Sequence, residues 1–277
     1  MVIKIVTDSS SDLPGGIVEE LGITVVPLYI RFGDKVYRDR VEINNEEFYH
    51  KLQHGPTHPS TTQPSPQDFV DVYKKLAEEA DGIVSIHISE KLSGTCNSAI
   101  QARELVKECP VEVIDSKIIS MALGFVCMAA ARVANAGGGL SEVVEKVNRV
   151  LPDMRLLGLL DTLKYLALGG RIGRAKALLG SVLNVKPILT IKDGEVAPAG
   201  QVRSRSKGVE RLFEFVKNTS DIEDLAIVYN TTLDEAKALA EQINPIFPKE
   251  QIVITSLGPM IGVHVGPGVL FATIRVK

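Results

Sequence analysis

Gly82-Ile83-Val84-Ser85-Ile86-His87-Ile88 is the stretch that decides the fold. Its Ile and Val side chains favour an extended backbone, so it reads as a strand. A helix follows over 93–107, a second strand over 111–115 and a second helix over 121–136, broken by Gly137-Gly138-Gly139. Strands separated by helices pair in parallel, because a parallel pair needs a long crossover. The same alternation extends toward the N-terminus. Residues 2–6 read as a strand, and 14–21 as a helix opened by Pro14 and stopped by Gly22. Residues 24–30 read as a strand and 45–54 as a helix. Residues 55–66 hold Pro56, Pro59, Pro64 and Pro66 and read as loop. Phe69, Val72, Tyr73 and Leu76 then form the apolar stripe of a helix within 65–80. Ser65 caps it with Asp68 at capping-box spacing, and Ser141 caps a later helix with Glu142 and Glu145 in its first turns. The first half is therefore an α/β lobe, a doubly wound parallel sheet with helices on both faces.

From about Met154 the texture changes. Residues 187–192 and 195–202 flank Asp193-Gly194, a strong signal for a two-residue hairpin. A helix near 207–218, a strand at 225–229, a helix at 234–243 and a strand at 252–256 follow. Glycine-rich 258–268 then leads to a final strand over 269–276. These predict a smaller C-terminal α+β lobe with a mixed sheet, its last strand beside the hairpin. The lobes divide at 1–153 and 154–277.

The chain has 277 residues, 45% of them hydrophobic and 23% charged, which excludes a disordered chain. Its 31 Lys and Arg against 34 Asp and Glu exclude the basic footprint of a nucleic-acid binder. Cys96, Cys109 and Cys127 are odd in number and lack C-x-x-C spacing, so they read as reduced thiols of a cytoplasmic protein. The longest uncharged stretch, 118–131, is too short to cross a bilayer and reads as a buried helix. No stable membrane insertion is expected.

Five constellations carry candidate chemistry, each with a plainer alternative. Thr7-Asp8-Ser9-Ser10-Ser11-Asp12-Leu13-Pro14 follows the first strand, where open parallel sheets place ligand loops; Ser11 or Asp12 capping a helix is the plainer reading. In Pro59-Ser60-Thr61-Thr62-Gln63-Pro64-Ser65-Pro66, Thr61 and Thr62 have no local structural task, though loop hydroxyls are commonly just solvated. Ser93, at the opening of a helix, is either an N-cap or an anion-binding hydroxyl, two roles that are compatible. In Gly169-Gly170-Arg171-Ile172-Gly173-Arg174 the two leading glycines end a helix with left-handed backbone. Arg171 then projects a guanidinium suited to a carboxylate or phosphate, or is simply a surface arginine. Arg203 and Arg205 are weaker candidates of that kind. His264 stands among apolar and glycine residues, either satisfied by a backbone partner or facing a site. The histidines form no metal motif with a carboxylate, His50 and His54 lying on a polar helix face. Walker A, G-x-S-x-G and G-x-G-x-x-G motifs are absent.

Taken in order, six stretches resemble the DegV family of bacterial fatty-acid-binding proteins. They are Thr7 to Pro14, Thr61-Thr62-Gln63-Pro64-Ser65, Lys91-Leu92-Ser93-Gly94-Thr95, Gly169-Gly170-Arg171-Ile172-Gly173, Asn184-Val185-Lys186-Pro187-Ile188-Leu189, and Gly262-Val263-His264-Val265-Gly266-Pro267-Gly268. The resemblance implies a two-lobed α/β protein holding one long-chain fatty acid such as palmitate, its carboxylate at the lobe junction. It also implies a non-catalytic subunit that presents the acid to a separate fatty acid kinase catalytic subunit. Carried over, Thr61 and Ser93 contact the carboxylate, Thr62, Arg171 and His264 form the supporting polar network, and Ser9 and Arg203 are secondary. No cofactor beyond the bound fatty acid is implied, and a monomer is expected. Thr62 stands where the family often has serine, which keeps a hydroxyl; Cys96 stands where it often has an aromatic and Gln201 where it often has lysine, and these two bear on chain-length preference. Candidates for the tail tunnel are Leu156, Leu157, Leu159, Leu160, Leu163, Leu166 and Ile188, each more readily read as ordinary core. The alternative from another class is a serine hydrolase of acyl esters using Ser93 and His264; against it, no nucleophile elbow and no acidic third member is visible.

Overall fold

The computed structural model describes residues 1–178 and 185–277; Asn184, the opening residue of one of the six stretches, lies outside the described residues. Four strands make the first sheet: β1 (Ile3–Asp8), β2 (Ile23–Val26), β6 (Gly82–His87) and β7 (Val111–Asp115), in the order β2-β1-β6-β7 and all parallel. Helices α3 (Pro66–Ala77) and α4 (Thr95–Leu105) cover one face, burying Phe69, Tyr73, Ala99 and Ala102. Helices α1 (Gly15–Leu21), α5 (Ser120–Asn135) and α6 (Leu140–Val150) cover the other. The doubly wound lobe expected from the alternation is present. Ser65 and Asp68 make the expected capping box at α3.

The second large sheet has the order β10-β9-β8-β13-β11-β12, built from β8 (Met154–Leu159), β9 (Lys186–Lys192), β10 (Glu195–Val202), β11 (Ile222–Tyr229), β12 (Val253–Ser256) and β13 (Leu270–Val276). It is mixed, with β11 and β12 parallel and the other pairs antiparallel. Asp193 and Gly194 turn the β9–β10 hairpin with φ of 52° and 82°, the left-handed pair that such a tight turn requires. The last strand is not beside this hairpin: β8 separates them, because β13 pairs with both β8 and β11. Helices α8 (Arg205–Lys217) and α9 (Leu233–Ile243) cover the outer face.

The inner face of that sheet packs on α5, which also packs on β1. A helix between two sheets has no solvent face. This explains why 13 of its 16 residues are buried and why the sequence there is apolar all round. Alternation along β8 sorts the leucines: Leu156 and Leu160 join the core between the lobes, while Leu157 and Leu159 join the outer core under α8 and α9.

A third sheet, absent from the sequence reading, has the order β4-β3-β5, from β3 (Tyr29–Phe32), β4 (Lys35–Arg38) and β5 (Ser60–Thr62). The strand expected over 24–30 is in fact two, β2 and β3, divided at Pro27 and Leu28. The proline-rich loop contains β5, held by pairing with β3 at Ile30 opposite Thr61. This small sheet packs on α2 (Asn45–His54) and on α10 (Pro259–Val265) through Ile30, Phe48, Tyr49 and Val263. Helix α10 lies inside the glycine-rich stretch 258–268, to which the sequence reading assigned no element. Other caps differ as well. Gly139, not Ser141, caps α6, its N–H bonded to Glu142. Asp8 caps the short 3-10 turn at Ser9–Ser11, and neither Ser11 nor Asp12 caps α1. Gly170 is left-handed at 69°, whereas Gly169 is not.

Candidate functional site

Four pieces of chain that are remote in sequence meet between the lobes. β5 presents Thr61 and Thr62, and the loop after β6 presents Ser93 just before α4. α10 presents His264. Arg171 comes from the turn after α7 (Lys164–Leu168). All five line one cavity of about 550 Å³, its mouth included, together with Gln63 and apolar Leu28, Leu92, Met260 and Ile261. A second cavity of about 290 Å³, open space at its edges included, lies deeper, walled by Leu156, Leu160, Leu189 and Phe271. Ile119, Leu166, Val196 and Val265 line both, so the two chambers adjoin across these four side chains. The outer chamber is polar on one side. The inner one is apolar, and the hydroxyl of Thr190 there donates to the Leu156 carbonyl at 2.8 Å.

The polar side is tightly organised. Thr61 Oγ1 and His264 Nε2 lie 2.9 Å apart across 203 residues of sequence. The Nδ1 of His264 is buried and has no hydrogen-bond partner among the described residues. Burial, with Arg171 and His58 nearby, pushes this imidazole down to about 4, so it is neutral at pH 7. An orphaned buried N–H is costlier than an orphaned lone pair. The favoured tautomer therefore carries its proton on Nε2 and donates to Thr61, which leaves the threonine O–H free to donate into the cavity. A Cβ at Gly169 would overlap His264 Nδ1, so only glycine allows the turn before Arg171 to close on the ring. Arg171 is aimed by two carbonyls: Nε donates to Leu92 at 3.2 Å and Nη1 to Gly169 at 2.8 Å.

Ser93 does not cap α4. The N-cap is Gly94, and Ser93 Oγ lies 2.8 Å from Thr95 Oγ1. Among the described residues Ser93 makes no hydrogen bond with His264, whose imidazole is engaged by Thr61 instead. The pairing a serine nucleophile would need is thus absent from this arrangement.

Two of the secondary candidates stand outside the cavity. Ser9 is buried behind its wall, accepting the Leu28 N–H at 3.1 Å. Arg203 is exposed at the end of β10 and lines neither chamber. Arg205 is engaged with Glu235, Asp161 and the Gly268 carbonyl. Of the leucines considered for the tail, Leu156, Leu160 and Leu166 line the cavities. Leu157, Leu159 and Ile188 face the outer core, and Leu163 packs half-buried on the core between the lobes.

Sequence reasoning missed the apolar wall from Met260 and Ile261, because α10 was not recognised, and from Leu28, because β2 and β3 read as one strand. Among the described residues no three His, Cys, Asp or Glu side chains gather where a metal ion would sit, and no helix is long and apolar enough to cross a membrane.

Known proteins resemble this chain in sequence and fold. Residues 2–274 match a family model described as an uncharacterised protein of the DegV family. A DegV domain-containing protein of Streptomyces coelicolor is 40% identical over 274 residues, covering 97% of this chain and 96% of the relative. Among solved structures, a DegV family protein from Thermus thermophilus described for its fatty acid binding superposes with a TM-score of 0.93 at 36% identity, both chains covered in full. DegV of Bacillus subtilis, described as a fatty acid binding protein, superposes at 0.91 with 29% identity over 100% of both chains. A stearic acid-binding protein from Eubacterium ventriosum superposes at 0.89 with 27% identity, covering 99% of this chain and 98% of its own. With the family model spanning nearly every residue, this chain belongs to the DegV family.

Proposed function

We propose that the chain binds one long-chain fatty acid, with its carboxylate in the polar outer chamber and its tail in the apolar inner one. In this reading it then presents the carboxylate to a separate kinase subunit for acyl phosphate formation. The observation that carries the reading is the adjacency of the two chambers, which share four wall residues, with donors lining one and hydrocarbon the other. A buried carboxylate needs convergent donors. The O–H groups of Thr61 and Ser93 and the guanidinium of Arg171 supply them, while His264 orients Thr61 and Thr62 adds a hydroxyl at the rim. Each buried methylene contributes about 0.8 kcal/mol, so a tail of about fifteen contributes roughly 12 kcal/mol before ordering costs. The tail sets affinity and the polar end sets orientation. Fatty acid binding by the structural neighbours supports the ligand class.

Presentation to a partner rests on the chemistry of the chamber. Its donors hold a carboxylate, while the sequence has no Walker A loop for the phosphates of a nucleotide. In this reading the chain acts as a cytoplasmic monomer. Mass spectrometry of the organic extract from denatured, purified protein should show a long-chain acid. An acid-free extract together with no palmitate binding on titration would overturn the ligand. Incubation of the loaded protein with ATP should give acyl phosphate only when a fatty acid kinase catalytic subunit is added; product from the chain alone would overturn the division of labour.

A further inference from the structure

Thr61 and His264 ride on different layers, β5 and α10, so their 2.9 Å contact depends on how those layers are fixed to each other. The fixing point is Arg40, which follows β4. Its Nη2 donates to Asp12 Oδ1 at 2.8 Å and to the Ser256 carbonyl at 2.7 Å, and Nη1 lies 3.5 Å from the Leu13 carbonyl. Asp12 belongs to the loop after β1 of the first sheet, Arg40 to the turn after β4 of the small sheet and Ser256 to β12 of the second large sheet. One guanidinium therefore joins all three sheets.

Asp12 is fully buried and spends its carboxylate on the same junction. Oδ1 also accepts the Gly258 N–H at 2.7 Å, and Oδ2 the Ser120 hydroxyl at 2.6 Å. Gly258 is the N-cap of α10, the helix that carries His264. A Cβ on Gly258 would lie 2.8 Å from Arg40 Nε and 3.1 Å from Asp12 Oδ1, so the side chains occupy the place a larger residue needs. Asp12, Arg40 and Ser120 all hold left-handed backbone, with φ of 53°, 60° and 55°. Three non-glycine residues in that region, bonded through one carboxylate, are costly and persist only where their surroundings hold them. None of the three lines the cavity.

We propose that Arg40 and Asp12 are positioning residues for the ligand carboxylate: by clasping the start of α10 to the layer that carries β5, they set the Thr61–His264 contact. The inference rests on the fatty acid reading and names residues beyond its lining. Arg40→Lys keeps a cation beside Asp12 but lacks the planar fork that also reaches Ser256. The variant should fold with a melting temperature near that of the parent. It should bind radiolabelled palmitate about tenfold more weakly after delipidation. In a His264→Ala background the same change should have little further effect, since a positioning residue acts through the group it positions. Gly258→Ala, which crowds the guanidinium, should show the same dependence on His264.

Three results separate the outcomes. If the parent binds palmitate and Arg40→Lys binds as tightly, or if its effect adds fully to that of His264→Ala, the clasp is refuted and the ligand reading stands. If the parent binds no fatty acid, the ligand reading fails. The imidazole nitrogen shifts of His264, measured without ligand, then decide the clasp: they should change in Arg40→Lys, and identical shifts refute it.

Discussion

His264 and Asp39 give the protein two opposite dependences on pH that nearly conceal one another. His264 is pushed from 6.5 down to about 4 by burial. Asp39 is fully buried with neither carboxylate oxygen closely bonded, and burial pushes it from 3.8 up to about 7. The Ser9 hydroxyl, Arg40 and the Met260 N–H lower it, whereas Asp12 raises it. Between about pH 4 and 6.5 the unfolded chain protonates His264 before the folded one does, so stability falls as pH falls. The full effect is about 3 kcal/mol at roughly 1.4 kcal/mol per tenfold change. Asp39 works the other way: the folded state holds its proton up to about pH 7 and the unfolded state only to about 4. Its contribution is thus present at low pH and lost as pH rises, about 4 kcal/mol in all. Urea unfolding followed by far-ultraviolet circular dichroism at pH 4.5, 5.5 and 6.5 separates them. Relative to the parent, Asp39→Asn should lose stability on acidification and His264→Gln should gain it, each by about 2 to 3 kcal/mol across that range. Two variants running parallel to the parent would refute the assigned burial of both groups.

Other perturbations probe the cavity itself. Thr61→Val and Ser93→Ala should each weaken palmitate binding about tenfold by removing one hydrogen bond to a charged group, read by titration of delipidated protein. Gly169→Ala should lower stability by about 1–3 kcal/mol and broaden the His264 resonances, because its methyl group needs the space of the ring. Stearate hydroxylated at mid-chain should bind at least tenfold more weakly than stearate in a competition assay. Among the described residues Thr190 alone brings a hydroxyl to the inner chamber, and its proton is given to the Leu156 carbonyl; a buried chain hydroxyl thus meets no side-chain donor and at most one acceptor oxygen, a poor exchange for water.

Much of the scaffold was legible because its signals are local. The helix at 45–54, the strand at 111–115 and the Asp193-Gly194 hairpin fall where the pattern puts them. What was not legible depends on partners far away. β5 has three residues and no alternation of its own, and only pairing with β3 makes it a strand. α10 has a proline at its first position and Gly266 after its last, a start and a stop that the surrounding glycines concealed. The five main candidates of the site came from motifs and resemblance, and the fold places all of them around one cavity. Ser9 and Arg203, of the same residue types, are elsewhere, since composition says nothing of direction. Asp12 sat within a quoted motif, yet its bonds to Arg40 and Gly258 span 28 and 246 residues, beyond any spacing rule.

The inner chamber draws its walls from both lobes: Ile119 from the first, Leu156 and Phe271 from the second. A hydrocarbon lodged there would complete the interior of the molecule much as a missing side chain would. Loading and thermal resistance then become one property. At a thousandfold excess over its dissociation constant a ligand adds about 4 kcal/mol to unfolding, so a stripped preparation would melt early and its melting point would report occupancy directly.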